Sequence, residues 1–383
     1  MNISTKTNSL HQRFVVADMH LHPSLKMYLL NKKFGKRYRS GGAFNPFVLR
    51  TDFPTLDKGG VNLIIPAVHL VERAFVNDCW ALKILARIAP KKWRRMLKGN
   101  PFEQTVRMLD QFEDGVQKAR SKHKARVEIA RSYSEVQRVL NQKKMAVVHS
   151  VEGAHSLDDK IDNLETLFNR GVCLLTLAHF YENSAVFPTN AIPRNMKKLG
   201  CFGHKHDLTK GLTNFGKQVV DKMLDLGMLI DVTHSTPKAR REIYDVHQNH
   251  AKRRPLTASH IGAAALNDDP YNLTDAEIKT IADSGGTIGV IFMNYWLADS
   301  KQKKGLHFVV ETMKHLKNIG GIDCVAVGSD FDGFTDPPDD LKDPADMPQL
   351  TDALLQANFT LTEIEKILGE NILRVLKYGW GKQ

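Results

Sequence analysis

Eight short apolar runs rich in β-branched residues recur along this 383-residue chain, each separated from the next by a longer polar or amphipathic stretch. They are Phe14–Ala17, Val61–Val68, Met145–Val148, Val172–Leu177, Met228–Val232, Pro255–Ala258, Thr287–Met293 and Cys324–Val327. Runs that are apolar on both faces belong in a parallel sheet covered by helices. Eight of them in alternation with helical segments predict a closed (β/α)8 barrel, a TIM-like α/β fold. Such a barrel takes about 250 residues, so the expectation is one domain over residues 1–383 with insertions at its rim.

The residues at the C-terminal end of each run point to chemistry. The first run ends in Asp18-Met19-His20-Leu21-His22 and the third in His149-Ser150-Val151-Glu152-Gly153. The second reaches His69, the fourth His179, the fifth His234, the sixth His260, the seventh Asn294 and the eighth Asp330. Barrel enzymes carry their active sites at the C-terminal ends of the strands. One histidine there would mean little, but six strand ends bearing ligands or acids form a pattern.

Two helices are well marked. Thr213-Asn214-Phe215-Gly216 opens one with helically spaced Val219, Val220, Met223, Leu224 and Leu226, and Gly227 closes it. Thr360-Leu361-Thr362-Glu363 resembles a capping arrangement ahead of Ile364, Ile367, Leu368, Ile372 and Leu373. Residues 180–210 show neither period and read as a rim loop. Residues 79–99 form a basic insertion with Trp80, Ile84, Leu85 and Ile88 along one helical face and Pro90 ending or kinking the helix. That face is expected to pack on the barrel or on a partner subunit, as in a homodimer; contact with an anionic membrane is the weaker reading.

Composition narrows the partners. Lys and Arg number 54 against 42 Asp and Glu, a net charge of +12, but much of the excess sits in the local runs Lys32–Arg39, Lys91–Lys98 and Lys252–Arg254. No zinc-finger spacing, RNA-type aromatic signature or glycine-rich phosphate loop accompanies it, so nucleic acid is not the expected partner. Cys79, Cys173, Cys201 and Cys324 are far apart, which argues against a thiolate metal site and against a disulfide framework. Residues 1–12 lack the apolar core of a signal peptide and no apolar run is long enough to span a bilayer, so a reduced, cytoplasmic protein is expected.

His20 and His22 alternate, so at a strand end both rings point the same way and can bind one ion. Glu152 could bridge to a second ion held by His234 and His260. Histidine and carboxylate suit zinc, and equally manganese, iron or cobalt. Two such ions would activate a water and polarise a carbonyl. Asp330 is placed to shuttle the proton, and His179 to hydrogen-bond the substrate oxyanion. Asp18 reads as an orienting residue; His149, His155 and His204 read as surface or supporting residues.

Several stretches resemble the membrane (renal) dipeptidase family of the metal-dependent amidohydrolase superfamily. They are Ser150–Ser156, Leu175–His179, Gly211–Gly216, Gly227–His234, Ala258-Ser259-His260 and Gly328–Gly333, in family order from Phe14 to Lys377. The resemblance implies zinc-dependent hydrolysis of dipeptides, with tolerance for a D-residue on the C-terminal side. It implies His20 and Glu152 as ligands of one ion, Glu152, His234 and His260 as ligands of the other, Asp330 as proton shuttle and His179 as the substrate-side histidine. Two departures stand out. The family has His-x-Asp where this chain has His20-Leu21-His22, which removes one negative charge from the site. Tyr271 stands in this register where the family has an arginine for the substrate carboxylate, and tyrosine cannot form a bidentate charged pair.

The leading expectation is therefore a two-metal dipeptidase. An amidohydrolase acting on another small amide, lactone or ester is the alternative, motivated by His22 and Tyr271. A catalytically silent binding protein is disfavoured by the intact set of ligands and shuttle.

Overall fold

The computed structural model describes residues 5–39, 45, 47–88, 94, 97, 99–192, 200–298 and 305–381. Among the described residues, ten strands form the sheet: β1 (Val16–Leu21), β2 (Val61–His69), β3 (Val127–Ile129), β4 (Met145–Val147), β5 (His149–Glu152), β6 (Val172–Thr176), β7 (Leu229–Asp231), β8 (Thr257–Ile261), β9 (Thr287–Val290) and β10 (Val325–Val327). Every pairing between them is parallel, in the order β10-β9-β8-β7-β6-β5-β2-β4-β3 with β1 on β2. A parallel bridge from Leu21 to Phe331 and the bond from His22 N–H to the Phe331 carbonyl (2.8 Å) bring the first strand back to the end of the last. The eight apolar runs thus close a TIM-like barrel.

Three strand readings shift. The run Met145–Val148 is split at Val148, whose amide turns to the Ile64 carbonyl, so β2 pairs with both β4 and β5. β1 and β8 extend beyond their apolar runs and carry His20 and His260 inside the strand rather than after it. β3 has no counterpart among the apolar runs: Val-Glu-Ile is too short to show a period, and it is recruited by pairing with β4.

Packing accounts for the rest. In the helix Asn214–Leu226, Thr213 accepts a hydrogen bond from the Gly216 amide, and Val219, Val220, Met223, Leu224 and Leu226 are buried against the barrel. Truncating one of these to alanine leaves a cavity costing about 1–4 kcal/mol. Thr360 and Glu363 form a reciprocal capping box, followed by one π-helical turn, Lys366–Glu370, before the helix Asn371–Gly379.

Two expectations about the rim are corrected. Cys79 and Cys201, 122 residues apart, form a disulfide. Linear spacing hid it because one cysteine lies in the 79–99 insertion and the other in the 180–210 loop, and only the barrel rim brings them together. The helix Trp80–Ile88 also packs by another face: Leu82 and Ala86 turn inward, whereas Trp80, Ile84 and Ile88 are exposed. Pro90 and its neighbours 89–93 lie outside the described residues, as does the side chain of Leu85. Among the described residues, no helix is long and apolar enough to cross a membrane.

Candidate metal centre

Glu152, the last residue of β5, sits at the mouth of the barrel with 1% of its surface exposed. Its Oε1 lies 3.4 Å from His20 Nε2, 3.5 Å from His234 Nε2 and 3.6 Å from His260 Nε2. Its Oε2 lies 3.6 Å from His22 Nε2, 3.7 Å from His179 Nε2 and 3.8 Å from His69 Nδ1. Within these shells, His20 and His22 bring their Nε2 atoms to 3.1 Å, and His234 and His260 theirs to 2.9 Å. Asp330 Oδ1 is 3.2 Å from His22 Nε2 and 4.0 Å from His20 Nε2. The structure therefore brings together His20, His22, Glu152, His179, His234, His260 and Asp330, from six strand ends.

The donor set suits divalent cations. Both Glu152 oxygens are buried without a hydrogen-bond partner, a costly state for a carboxylate unless a cation satisfies it. Burial would raise its pKa, yet His179 and His20 hold it well below the usual carboxylate range, so it remains an anion. Burial lowers the pKa of His234, and burial with His20 and His234 lowers that of His260 further, leaving both as neutral imidazoles with free lone pairs. His20 behaves oppositely: burial works against its protonation, but Glu152 and Asp330 raise its pKa to about 9. A potential that retains a proton there also favours a metal cation.

The rings are held from behind. Ser259 Oγ stands 3.1 Å from His20 Nδ1 and 2.8 Å from His260 Nδ1, and donates its own proton to Asp231 Oδ2. Asp231 accepts further bonds from Thr176 Oγ1, Thr233 Oγ1 and the amides of Thr233 and Ser259. With its proton committed to Asp231, Ser259 accepts from both Nδ1–H groups, which would leave the Nε2 atoms, facing Glu152, as the metal-binding ends of both rings. Asp18 accepts from Ser329 Oγ and the amides of Ser329 and His20, tying β1 to the segment that bears Asp330.

The backbone is unusual at the same places. His234 (φ 65°) and Asp330 (φ 56°) occupy the left-handed region, a strain that clusters at functional sites. Gly153 (φ 94°) follows Glu152, and a Cβ there would stand 2.3 Å from the His155 ring. A Cβ on Gly333 would stand 2.0 Å from Asp330 Oδ1, so the glycine leaves that carboxylate its room.

His179 is flanked by a residue that sequence reasoning missed. Glu72 Oε1 is 2.8 Å from His179 Nδ1 and 3.0 Å from the Phe180 amide. Burial would lower the pKa of His179, but Glu72 and Glu152 raise it and favour the imidazolium. Asp231 and Ser259 were missed as well, although each lies within three residues of a ligand candidate in the stretches Gly227–His234 and Ala258–His260. Tyr271, assigned to substrate from its register, is 1% exposed, and its hydroxyl donates to the His260 carbonyl at 2.6 Å while its ring stacks on Trp296. It braces the His260 backbone, and its ring stands edge-on to that of His234, with centroids 5.3 Å apart. His149 bonds Glu113 (3.0 Å) and His155 the Leu70 carbonyl (2.7 Å), both outside the ring around Glu152.

A parallel barrel whose strand ends surround a buried carboxylate with imidazoles defines a metal-dependent hydrolase class. The family model described as membrane dipeptidase (peptidase family M19) matches residues 4–379. The chain belongs to that family and is a metal-dependent dipeptidase of it. It is 34% identical over 258 residues, 67% of this chain and 90% of the relative, to an uncharacterized protein in the pqqA 5' region of Klebsiella pneumoniae. It is 28% identical over 284 residues, 73% of this chain and 62% of the relative, to dipeptidase tcpJ of Claviceps purpurea. In fold it is similar to a metallo peptidase from Rhodobacter sphaeroides solved with a phosphinate mimic of the dipeptide L-Ala-D-Ala, with a TM-score of 0.74 and 21% identity over 96% of this chain and 99% of that one.

Proposed function

We propose that this chain is a single barrel domain that hydrolyses dipeptides, L-D dipeptides among them, through a two-zinc centre built on Glu152. The carrying observation is the Glu152 carboxylate, buried, without hydrogen bonds, and surrounded through both oxygens by imidazole nitrogens. In this reading His20, His22 and Glu152 hold one ion, and Glu152, His234 and His260 the other. Bound there, divalent ions supply Lewis acidity towards the scissile carbonyl and acidify water.

The chain's own groups do the remaining work. Asp330, beside the His22 ring, accepts the proton of the attacking water and returns it to the departing amine. His179, oriented by Glu72 through Nδ1, directs its Nε2–H towards the oxyanion that forms as the carbonyl is attacked. The phosphinate in the Rhodobacter sphaeroides protein is the tetrahedral shape this arrangement would favour, and it supports extending the substrate class to L-D dipeptides.

The alternative, a small amide, lactone or ester without a free carboxylate, is favoured by Tyr271, whose hydroxyl is held by the His260 carbonyl. One experiment separates the two: hydrolysis by zinc-loaded protein of L-L and L-D dipeptides beside the corresponding dipeptide amides. Turnover of the free dipeptides supports the leading reading. Turnover of the amides alone selects the alternative. A paired Cys79–Cys201 also suits an oxidising compartment and argues against the cytoplasmic location expected from the polar N-terminus.

A further inference from the structure

A second cluster of metal-ligating side chains lies on the rim, in the segment that leaves His179. Glu182 Oε1 is 3.9 Å from His204 Nε2 and 4.0 Å from His206 Nδ1, and the three ligand atoms all lie within 4.8 Å of one another. These separations matter. Where this protein pairs histidine with carboxylate by hydrogen bonding, the atoms approach to 2.7 Å (His315–Asp275) or 2.8 Å (His179–Glu72). Here they converge without closing. The pattern repeats the spacing around Glu152, where nitrogen and oxygen stand 3.4–3.8 Å apart. Ligands of a tetrahedral zinc ion, about 2.0–2.2 Å from the metal, stand a little over 3 Å from one another, so a small inward rotation completes the set.

The ligands are also pre-placed. The His204 amide (3.2 Å) and the Tyr181 hydroxyl (2.8 Å) both donate to Asp78 Oδ2, and the Phe202 amide to the Asp78 carbonyl (2.9 Å). The His206 amide donates to Asn190 Oδ1 at 3.1 Å, and its side chain is 4% exposed. The Cys79–Cys201 bond anchors the strand of loop leading into both histidines. Tyr181 lies against the two rings, with centroids 6.2 Å from His204 and 5.7 Å from His206. His204 and Glu182 are half-exposed, so an ion can reach the point and complete its coordination with water.

We propose that Glu182, His204 and His206 form a separate site for one divalent transition ion, of which zinc is the type. The ion clips the 200–206 segment to the chain that leaves His179, adding a noncovalent staple beside the disulfide. The site does not depend on the roles assigned around Glu152.

The test is a count. Full-length protein is loaded with Zn2+, dialysed against a weak chelator to strip surface ions, and its zinc per chain measured beside that of Glu182→Gln and His204→Gln. Both substitutions fall on half-exposed side chains, and circular dichroism checks that each variant is folded. Each variant is expected to hold one ion fewer per chain than the parent. Equal zinc content in parent and variants would overturn the site. Loss of zinc around Glu152 would lower all three proteins alike and leave the difference of one ion intact, so the two readings fail separately.

Discussion

The two sides of Glu152 are built differently. On the His234–His260 side, Ser259 holds the His260 ring, Tyr271 holds the His260 carbonyl, and Thr189 donates to the His234 carbonyl through both its amide (2.7 Å) and its hydroxyl. On the His20–His22 side, His20 shares Ser259, and Asp330 Oδ1 stands 3.2 Å from the His22 ring; His22 Nδ1, like His234 Nδ1 opposite, is buried without a hydrogen-bond partner. His22 is also where the family has a carboxylate. Each side thus has one ring held by Ser259 and one ring with an unpartnered Nδ1; the His20–His22 side draws its negative charge beyond Glu152 from Asp330 rather than from a carboxylate at position 22. In the proposed two-ion centre, an imidazole at position 22 in place of a carboxylate would weaken the ion on its own side, so the His20–His22 ion is expected to be the first to leave under a chelator.

Removing the shared member would erase the comparison. Glu152→Gln is expected to lose both ions and all dipeptide turnover; metal analysis and a rate assay read both, and retention of either ion would break the bridging role. Ser259→Ala touches both sides, because it frees His20 and His260 together. It is expected to weaken metal binding about 10–100-fold on each side, measured by competition with a chelator of known affinity. A loss confined to one ion would mean that Asp231 acts through only one ring. His22→Asp sharpens the contrast from the other direction. By restoring a negative charge it is expected to tighten the first ion and narrow the gap between the two chelation steps, a smaller change than Ser259→Ala makes in either affinity.

The smallest effect lies away from the ions. Glu113 bonds His149 beneath the barrel mouth; burial opposes its ionisation, but His149, Arg131 and Arg170 bring its pKa down to about 2 from 4.5. A depressed carboxylate stabilises the fold above its unfolded value and loses that contribution as pH falls through its folded value. Glu113→Gln is therefore expected to cost about 1–3 kcal/mol at pH 7. The deficit should shrink between pH 4.5 and pH 2, as read by denaturant melts. A deficit independent of pH would assign the loss to packing.

Much of this was legible in the sequence, because strand ends carry their ligands at short, local spacings. His20-Leu21-His22 places two rings on one face, and Glu152, His234, His260 and Asp330 each follow or end an apolar run, so a closed parallel barrel brings them to one rim. What stayed hidden depends on contacts between distant segments. Glu72 meets His179 across 107 residues, and Cys79 meets Cys201 across 122. Ser259 reaches His20 across 239. No period or motif encodes those meetings. The outward face of Trp80, Ile84 and Ile88 escapes the sequence for a related reason: amphipathic spacing shows that a helix has a face, not which neighbour it turns to.

The most direct measurement is anomalous diffraction at the zinc edge from crystals of zinc-loaded protein. Two peaks are expected on either side of the Glu152 carboxylate, one in reach of His20 and His22 and the other in reach of His234 and His260. A single peak, or none within reach of Glu152, would contradict a bridged two-ion centre.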